Sequence, residues 1–597
     1  MTEPRYRWQF PTPSATVDEG TLAAGARHGL DARVTRLLAG RGIADADALD
    51  AFFGPAEAGL HDPRLLPDAA LFIDRIARVR RDGETVMVFG DFDADGLTGL
   101  AIVTLVLRRL GVRVVPYVPS RVDEGHGLSL AAIAVARDAA AAVILTVDCG
   151  TTSLPEIAAA ADAGIDVLVT DHHRVPAQLP AAVAIVNPQR PDSAYPERRL
   201  AGSGVAFKIA QLLLVDEPGG PAAALELADL AAIGSIADLV PLIGETRAIV
   251  RIGLDAIRRG PRPGIAALLA AAGIAPTKVD VESLSFGVAP RINAAGRVGE
   301  ASTAARLLLS VTPAEADALA AELETANMNR RDLTKQAVAE ARAVLGEGPD
   351  RAATPATIVR GPWPVGIVGL VASRLADDLG RPAVVGADLG PVVRASCRSD
   401  GALDLGAALE ACGTLFLRYG GHAGAAGFEI ATERWPEFVE QFTALAVTTA
   451  PVDPRRALEI DLALPALDVD YGLHRSLARL APCGAGNPEP LVAVLGLTVT
   501  RSREATGGHS QLTLKRGLDV LDGIAFGRPD LAASVVEGDR VDIVGRVMSR
   551  TFGGFESLQL DIRDLATSGL HPEAAAILGF AGSTTAPDGV ALAGAPA

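Results

Sequence analysis

Lysine is almost missing from this chain. Lys208, Lys278, Lys335 and Lys515 are the only four in 597 residues, so arginine supplies nearly all of the 55 basic side chains. Arginine offers planar forks suited to phosphate oxygens, although a GC-rich genome produces the same bias. Cysteine is as scarce. Cys149, Cys397, Cys412 and Cys483 are scattered without a C-x-x-C pair, which argues against both a disulfide framework and a thiolate zinc site. No uninterrupted apolar run is long enough to span a bilayer. The opening MTEPRYRWQFPTP has charges and prolines where a signal peptide needs an apolar stretch. The expectation is therefore a cytoplasmic enzyme without a membrane partner.

What is present fits a globular protein of several domains. The composition is 49% hydrophobic and 21% charged, which excludes wholesale disorder, and the length exceeds what one core supports. A net charge of −17 argues against an unselective nucleic-acid binder, so the local placement of arginines and carboxylates has to decide.

Periodicity divides the chain. Leu30, Val34, Leu37 and Leu38, then Leu71, Ile73, Ile76 and Val79, recur at helical spacing and predict a helical lead-in over 1–80. Over 81–310 short apolar runs (VMVFG, VRVVPYVP, VILTVD, DVLVTD, VAIVNP) alternate with helical stretches, which predicts a parallel sheet covered on both faces. Residues 311–350 have no proline after their first turn and read as a long connecting helix. A second α/β unit is expected over 351–450, and short strands broken by turns predict a small barrel over 451–566. The tail 567–597 is rich in Ala, Gly and Pro without a period and is expected to be disordered.

Carboxylates gather at the ends of the predicted strands. Asp91, Asp93 and Asp95 follow the first in G-D-F-D-A-D-G, Asp148 follows VILTV, and Asp171, His172 and His173 follow DVLVT. Asp238 sits in I-A-D-L-V-P-L. Strand ends of an open parallel sheet form its binding crevice, so side chains distant in sequence can converge there. Hard oxygen ligands with an imidazole suit Mn²⁺ or Mg²⁺ better than zinc. Any one of these residues could merely cap a helix or stabilise the fold; their joint occurrence in one α/β unit points to a metal site.

The order D-F-D-A-D-G, V-D-C-G, V-T-D-H-H and I-A-D-L-V-P-L resembles the four motifs of the DHH phosphoesterase family, and G-G-H-A-G-A-A-G resembles the DHH-associated domain. With P-S-R-V-D-E-G-H-G-L, A-P-R-I-N-A-A-G-R, W-P-V-G-I-V-G-L-V-A-S-R-L and P-C-G-A-G-N-P-E-P, the set is similar to the RecJ-type exonucleases of that family from about residue 30 to 565. The resemblance implies a multidomain α/β fold: a DHH domain, a connecting helix, a DHH-associated domain and an OB-like barrel. It also implies metal-dependent 5′→3′ degradation of single-stranded DNA to 5′-mononucleotides in repair and recombination.

The resemblance implies two divalent cations, Mn²⁺ or Mg²⁺, held by Asp91, Asp93, Asp148, His172 and Asp238, with Asp148 in the bridging position. It implies that His173 orients the site or contacts phosphate, that Arg297 and His422 face the scissile phosphate, and that Arg121, Ser396 and Arg398 hold the 5′-terminal phosphate. The expected partners are single-stranded DNA, a single-strand-binding protein and a helicase, with the enzyme acting as a monomer. Two departures stand out: His126 where the family pattern has tyrosine, and Ala395 where it has glycine. A phosphodiesterase of short oligonucleotides or cyclic dinucleotides is the alternative enzyme, and an inactive replication scaffold is the non-enzymatic one.

Overall fold

The computed structural model describes residues 3–11, 17–346, 354–399, 401, 403–449, 453, 455–552, 555–572 and 574. The chain opens with strand β1 (Arg7–Gln9) and helices α1 (Glu19–Arg27), α2 (Ala32–Gly40) and α3 (Ala46–Phe53). These belong to one compact unit with 455–481 and the chain from 489 on, whereas 54–454 and 482–488 form the other. The segment expected as a single lead-in over 1–80 is thus divided at residue 53.

In the larger unit, α4 (Ala69–Asp82) leads into β2 (Thr85–Gly90). There follow α5 (Ala94–Arg109), β3 (Arg113–Tyr117), α6 (Leu130–Asp138), β4 (Ala141–Val147), α7 (Leu154–Asp162), β5 (Asp166–Thr170) and β6 (Ala184–Val186). All five strands are parallel, in the order β3-β2-β4-β5-β6. The period of two is visible along β2. Val86 and Val88 enter the core with α5 and α8 (Gly202–Leu214), while Met87 and Phe89 enter the core with α6 and α7. That two-sided burial is why the strands read as unbroken apolar runs.

Helices α9 (Gly220–Glu226), α10 (Ala228–Ala237), α11 (Gly244–Arg259) and α12 (Pro263–Ala271) extend the first of these cores. The stretch Gly220–Ala237 is apolar enough to cross a bilayer by composition, but 67% of it is buried inside the fold. A π-helical turn over Ser283–Val288 enters α13 (Ala289–Val298), followed by α14 (Ala301–Leu309) and the 33-residue α15 (Pro313–Leu345). Thr312 caps α15 by accepting from the Glu315 amide (3.4 Å). Its first half buries Leu319, Ala320 and Leu323 in the first core and its second half buries Ala337, Val338 and Ala341 in another, so the helix joins two cores.

The second α/β portion runs β7 (Thr357–Gly361), α16 (Val365–Leu379), β8 (Ala383–Asp388), β9 (Val392–Arg398), α17 (Leu405–Ala411), β10 (Phe416–Gly421), β11 (Ala425–Ala431) and α18 (Trp435–Thr449). Its sheet order is β10-β11-β9-β8-β7, and only β7 and β8 are parallel. The segment 482–488 buttresses this unit near Asp238: the Leu242 amide donates to Ala485 O (2.7 Å) and Arg247 Nη1 to Pro482 O (3.0 Å).

The smaller unit holds β12 (Ala457–Glu459), β13 (Leu462–Leu464), α19 (Tyr471–Ala478), β14 (Val492–Ala505), β15 (His509–Arg516), β16 (Asp519–Ala525), α20 (Pro529–Ser534), β17 (Arg540–Phe552) and β18 (Phe555–Thr567). Antiparallel β14-β15-β16, a parallel β16–β18 pair, and closure of β18 through β17 onto β14 make the five-stranded barrel of an OB fold. The N-terminal segment is part of it. Strand β1 pairs in parallel with β12, Trp8 Nε1 donates to Asp564 (2.8 Å), and the Asp31 amide donates to Ser476 Oγ (2.8 Å). Beyond residue 574 the expected disordered tail lies outside the described residues.

Candidate active site

The acidic residues occupy strand and helix ends, where backbone amides position them. Asp93 caps α5, its carboxylate accepting from the amides of Asp95 and Gly96 (3.0 and 3.1 Å). Asp95, buried two residues later in the first turn of α5, accepts from the amides of Gly202 and Ser203 at the start of α8 (2.6 and 2.9 Å). Asp148 follows β4 with φ +65°, a left-handed backbone that costs a non-glycine residue energy and that clusters at functional sites. Gly202 makes room for it: a Cβ there would lie 2.7 Å from Asp148 Oδ1.

His172 Nε2 lies 3.0 Å from Asp148, 3.8 Å from Asp238 and 3.9 Å from Asp95. Ligand atoms fall within 4.8 Å of one another in three sets: Asp91, Asp93 and Asp148; Asp95, His172 and Asp238; Asp148, His172 and His173. Asp148 belongs to two of these sets, as a ligand shared between two cations must.

Burial, with Asp95 and Asp93 adding repulsion, pushes the Asp148 carboxyl well above the ordinary range, and burial likewise raises Asp91 and Asp95. Asp238, 31% exposed, is pushed up to about 7, by lost hydration on its protein side and then by Asp95. His172 rises although burial opposes it, because Asp148, Asp95 and Asp238 face it. Such a cluster holds protons until a cation displaces them. Asp91 Oδ1 is moreover buried with no hydrogen-bond partner among the described residues, and hard oxygens with an imidazole fit Mn²⁺ or Mg²⁺.

Around this cluster stand orienting contacts. Buried Asp171 accepts from the amides of Thr151 (2.9 Å), His172 (2.7 Å) and His173 (3.1 Å), and from His173 Nδ1 (2.8 Å). Burial would raise its pKa, but the contacts with His173 and His172 hold it far below the usual range. That bond fixes the orientation of the His173 ring. His126 Nδ1 is 3.3 Å from Asp91, and its ring meets that of His173 edge-on at 4.9 Å.

Facing the carboxylates is an arginine side. Arg121 lies 3.9 Å over the Phe92 ring, and its buried Nε has no partner among the described residues. Ser396 and Arg398 share one face of β9 under α16: a Cβ on Gly369 would come 3.5 Å from Ser396 Oγ and 3.0 Å from Arg398 Nη2. A cavity of about 290 Å³ opens beside Ser396, lined also by Arg394, Arg418, Tyr419 and Glu429. Arg297 Nη1 donates to Gly366 O (3.1 Å). Burial first, then Arg121, Arg330 and Arg398, lowers Arg297 to about 9 against the pull of Asp93.

Asp91, Asp93, Asp148, His172, His173 and Asp238 therefore gather in one cluster; Arg121 and Arg297 interact with its charges, Arg398 with Arg297, and Ser396 stands beside Arg398. His422 lies on the exposed turn between β10 and β11, where its amide donates to Ala425 O (2.8 Å), and no contact among the described residues joins it to the cluster. Two residues fall outside the site residues that the resemblance implies. Asp95 meets the same distance criterion as the expected ligands; its signal is the third aspartate of D-F-D-A-D, a second overlapping D-x-D. His126 stands out in the sequence only as a departure from a family pattern.

Comparison with known proteins agrees with this layout. Residues 85–235 match the DHH family N-terminal domain, 355–448 the DHHA1 domain and 460–564 the RecJ OB domain. The chain is 33% identical over 574 residues to the single-stranded-DNA-specific exonuclease RecJ of Bacillus subtilis (strain 168), covering 95% of this chain and 72% of that protein. It is 34% identical over 560 residues to the protein of the same name from Dickeya dadantii (strain 3937), covering 90% and 96%. The crystal structure of RecJ in complex with Mn²⁺ from Thermus thermophilus matches with a TM-score of 0.79 at 30% identity, covering 94% of this chain and 80% of that one. The Mg²⁺ complex from the same organism matches at 0.74 and 29%, covering 94% and 78%.

Proposed function

The chain belongs to the RecJ family of single-stranded-DNA-specific exonucleases, and from that premise we propose how its own residues perform the reaction. It is a metal-dependent exonuclease that degrades single-stranded DNA from the 5′ end, releasing 5′-mononucleotides in repair and recombination. Asp91, Asp93, Asp95, Asp148, His172 and Asp238 are the residues that hold the cations. Mn²⁺ or Mg²⁺ held there would activate water as the nucleophile and neutralise phosphoryl charge. His173, fixed by Asp171, presents Nε2 as the group that orients the site or touches phosphate.

Arg297, desolvated and without a described carboxylate partner, binds the scissile phosphate, with His422 as the second contact. Arg121, Ser396 and Arg398 hold the 5′-terminal phosphate, so the enzyme reads an end rather than a sequence. The observation that carries the reading is the position of Asp148 and His172, each common to two ligand sets. The barrel unit argues for a polymer over a cyclic dinucleotide. The intact ligand set argues against an inactive scaffold. Cytoplasmic action as a monomer, assisted by a single-strand-binding protein and a helicase, belongs to the same proposal.

Digestion of strands labelled at either end, with Mn²⁺ or Mg²⁺, is the direct test. Label should leave the 5′ end first, chelation should stop it, and blunt duplex should resist. Efficient release from the 3′ end, or of a cyclic dinucleotide in preference to single strands, would overturn the reading.

A further inference from the structure

We propose that Arg330, on the long helix α15, is a substrate-binding residue that grips a backbone phosphate of the single strand next to the one held by Arg297. The inference rests on the exonuclease reading of the same site. It gives α15 a part in binding as well as in joining two cores.

The local sequence is N-M-N-R-R (327–331). One face of α15 passes from one core to the next here. Leu323 is buried in the first, and Leu333 packs against the second together with Val298, the residue after Arg297, and Val365, the first residue of α16. Arg330 lies one turn before Leu333 on that face, where the end of α13 meets the start of α16. The same junction holds Arg297 Nη1 on Gly366 O.

An arginine in mid-helix ordinarily finds a carboxylate one turn away. The neighbours at that spacing are Ala326, Asn327, Leu333 and Thr334, none of them acidic, and Glu324 is taken by Arg291 (2.5 Å). Asn327, only 2% exposed, instead accepts from Arg330 Nη2 (2.8 Å), and the buried Arg330 Nε has no partner among the described residues. A buried asparagine that presents a half-buried cation, with no carboxylate paired to it among the described residues, leaves a charge that an arriving anion would satisfy. Arg330 is also among the cations that depress Arg297. Arg121, Arg297, Arg330 and Arg398 thus come from four separate elements without a described carboxylate partner, which suits phosphates spaced along a strand.

The test is binding of a 5′-phosphorylated single strand, with phosphorothioate terminal linkages to slow digestion, to the full chain in Mg²⁺ over a salt series. Loss of one phosphate contact should reduce the slope of log affinity against log salt by about 0.7 in Arg330→Gln. KM should rise with kcat kept, Arg330→Lys should retain the wild-type slope, and Arg331→Gln, its exposed neighbour, should leave the slope unchanged. Asn327→Ala, which keeps the charge but removes its anchor, should raise Kd at an unchanged slope. A wild-type slope in Arg330→Gln, an equal loss in Arg331→Gln, or an unaltered Kd in Asn327→Ala would overturn the proposal. Failure of the wild-type protein to bind or digest single strands would instead overturn the exonuclease reading.

Discussion

The two sides of the proposed active site are made differently. The acidic side comes from the ends of one parallel sheet and the helices that follow it, and backbone amides fix Asp93, Asp95 and Asp171 directly. The arginine side is collected from a loop, two helices and a strand of another sheet, and its guanidinia are held by carbonyls, an amide oxygen and an aromatic ring. Repelled carboxylates pinned by the backbone suit cations that must be placed to within a fraction of an ångström. Long side chains on separate elements suit a flexible polyanion that must pass through. Removing a residue from the first side should therefore cost turnover, and from the second, affinity and end preference.

The sharpest attempt to break that division is Asp148→Ala. Loss of the shared ligand should lower kcat by more than ~100-fold, beyond what outer contacts of metal sites are worth. The purified variant should melt no earlier than wild type in chelator, because a repelled buried carboxylate has been removed. Near-wild-type release of mononucleotides would sink the cluster as the metal site. Asp95→Asn should behave alike; a mild effect there, with a severe one in Asp91→Asn, would return the site to the set first read from the sequence.

Next is Arg398→Ala. A charge-assisted phosphate contact is worth about 1.5–3 kcal/mol, so preference for 5′-phosphate over 5′-hydroxyl ends should shrink about ten- to a hundredfold. Titration of Mn²⁺ should be unchanged. Wild-type protein that digests both ends equally would remove the end-binding role.

A smaller effect is expected from the barrel unit. A protein lacking 1–53 and everything after 454 should still turn over short oligonucleotides but bind long strands more weakly, by about 1–3 kcal/mol for each stacked base lost. Residues 482–488 buttress the Asp238 region, so a version that restores them through a linker should recover any lost turnover. Unchanged binding of long strands would assign the barrel to partners or stability.

The smallest effect concerns pH. Raised carboxyls mean that the metal-free fold binds more protons than the unfolded chain, from the ordinary aspartate range up to about 7 for Asp238. Stability gained this way is present at low pH and is lost as pH rises through that window. His172, also raised, acts with the same sign. Chelated protein should melt higher at pH 6 than at pH 8, and saturating Mn²⁺ should close the gap by replacing protons. A chelated protein more stable at pH 8 would contradict the cluster's electrostatics.

Legibility in the sequence follows the same divide. Strand-end aspartates can be found because a buried parallel strand is an unbroken apolar run and the residue after it is necessarily at the crevice. Asp95 is visible in the same strand-end cluster, and only the ligand set implied by the resemblance leaves it out, because a residue inside the first turn of a helix looks like a helix-starting acid. Arg330 escapes because mid-helix arginine is ordinary until its neighbours are known. The barrel strands are legible as well, whereas the pairing of Arg546 on β17 with Asp561 (2.9 Å) and Glu489 is not. Nothing local announces that β1 belongs with β12, because a three-residue strand carries no period.

That last pairing has a temporal side. Arg7 sits opposite Ala457, so strand β1 waits on the ribosome while about 450 further residues are made. At 5–20 residues per second the wait is roughly half a minute to a minute and a half. Throughout it, the bond from the Asp31 amide at the start of α2 to Ser476 Oγ is also unmade, while residues 54–454 can already assemble. Synthesis of this enzyme thus delivers a nearly complete nuclease trailing an unfinished leading arm. That arm is where a chaperone or protease would intercept the nascent chain.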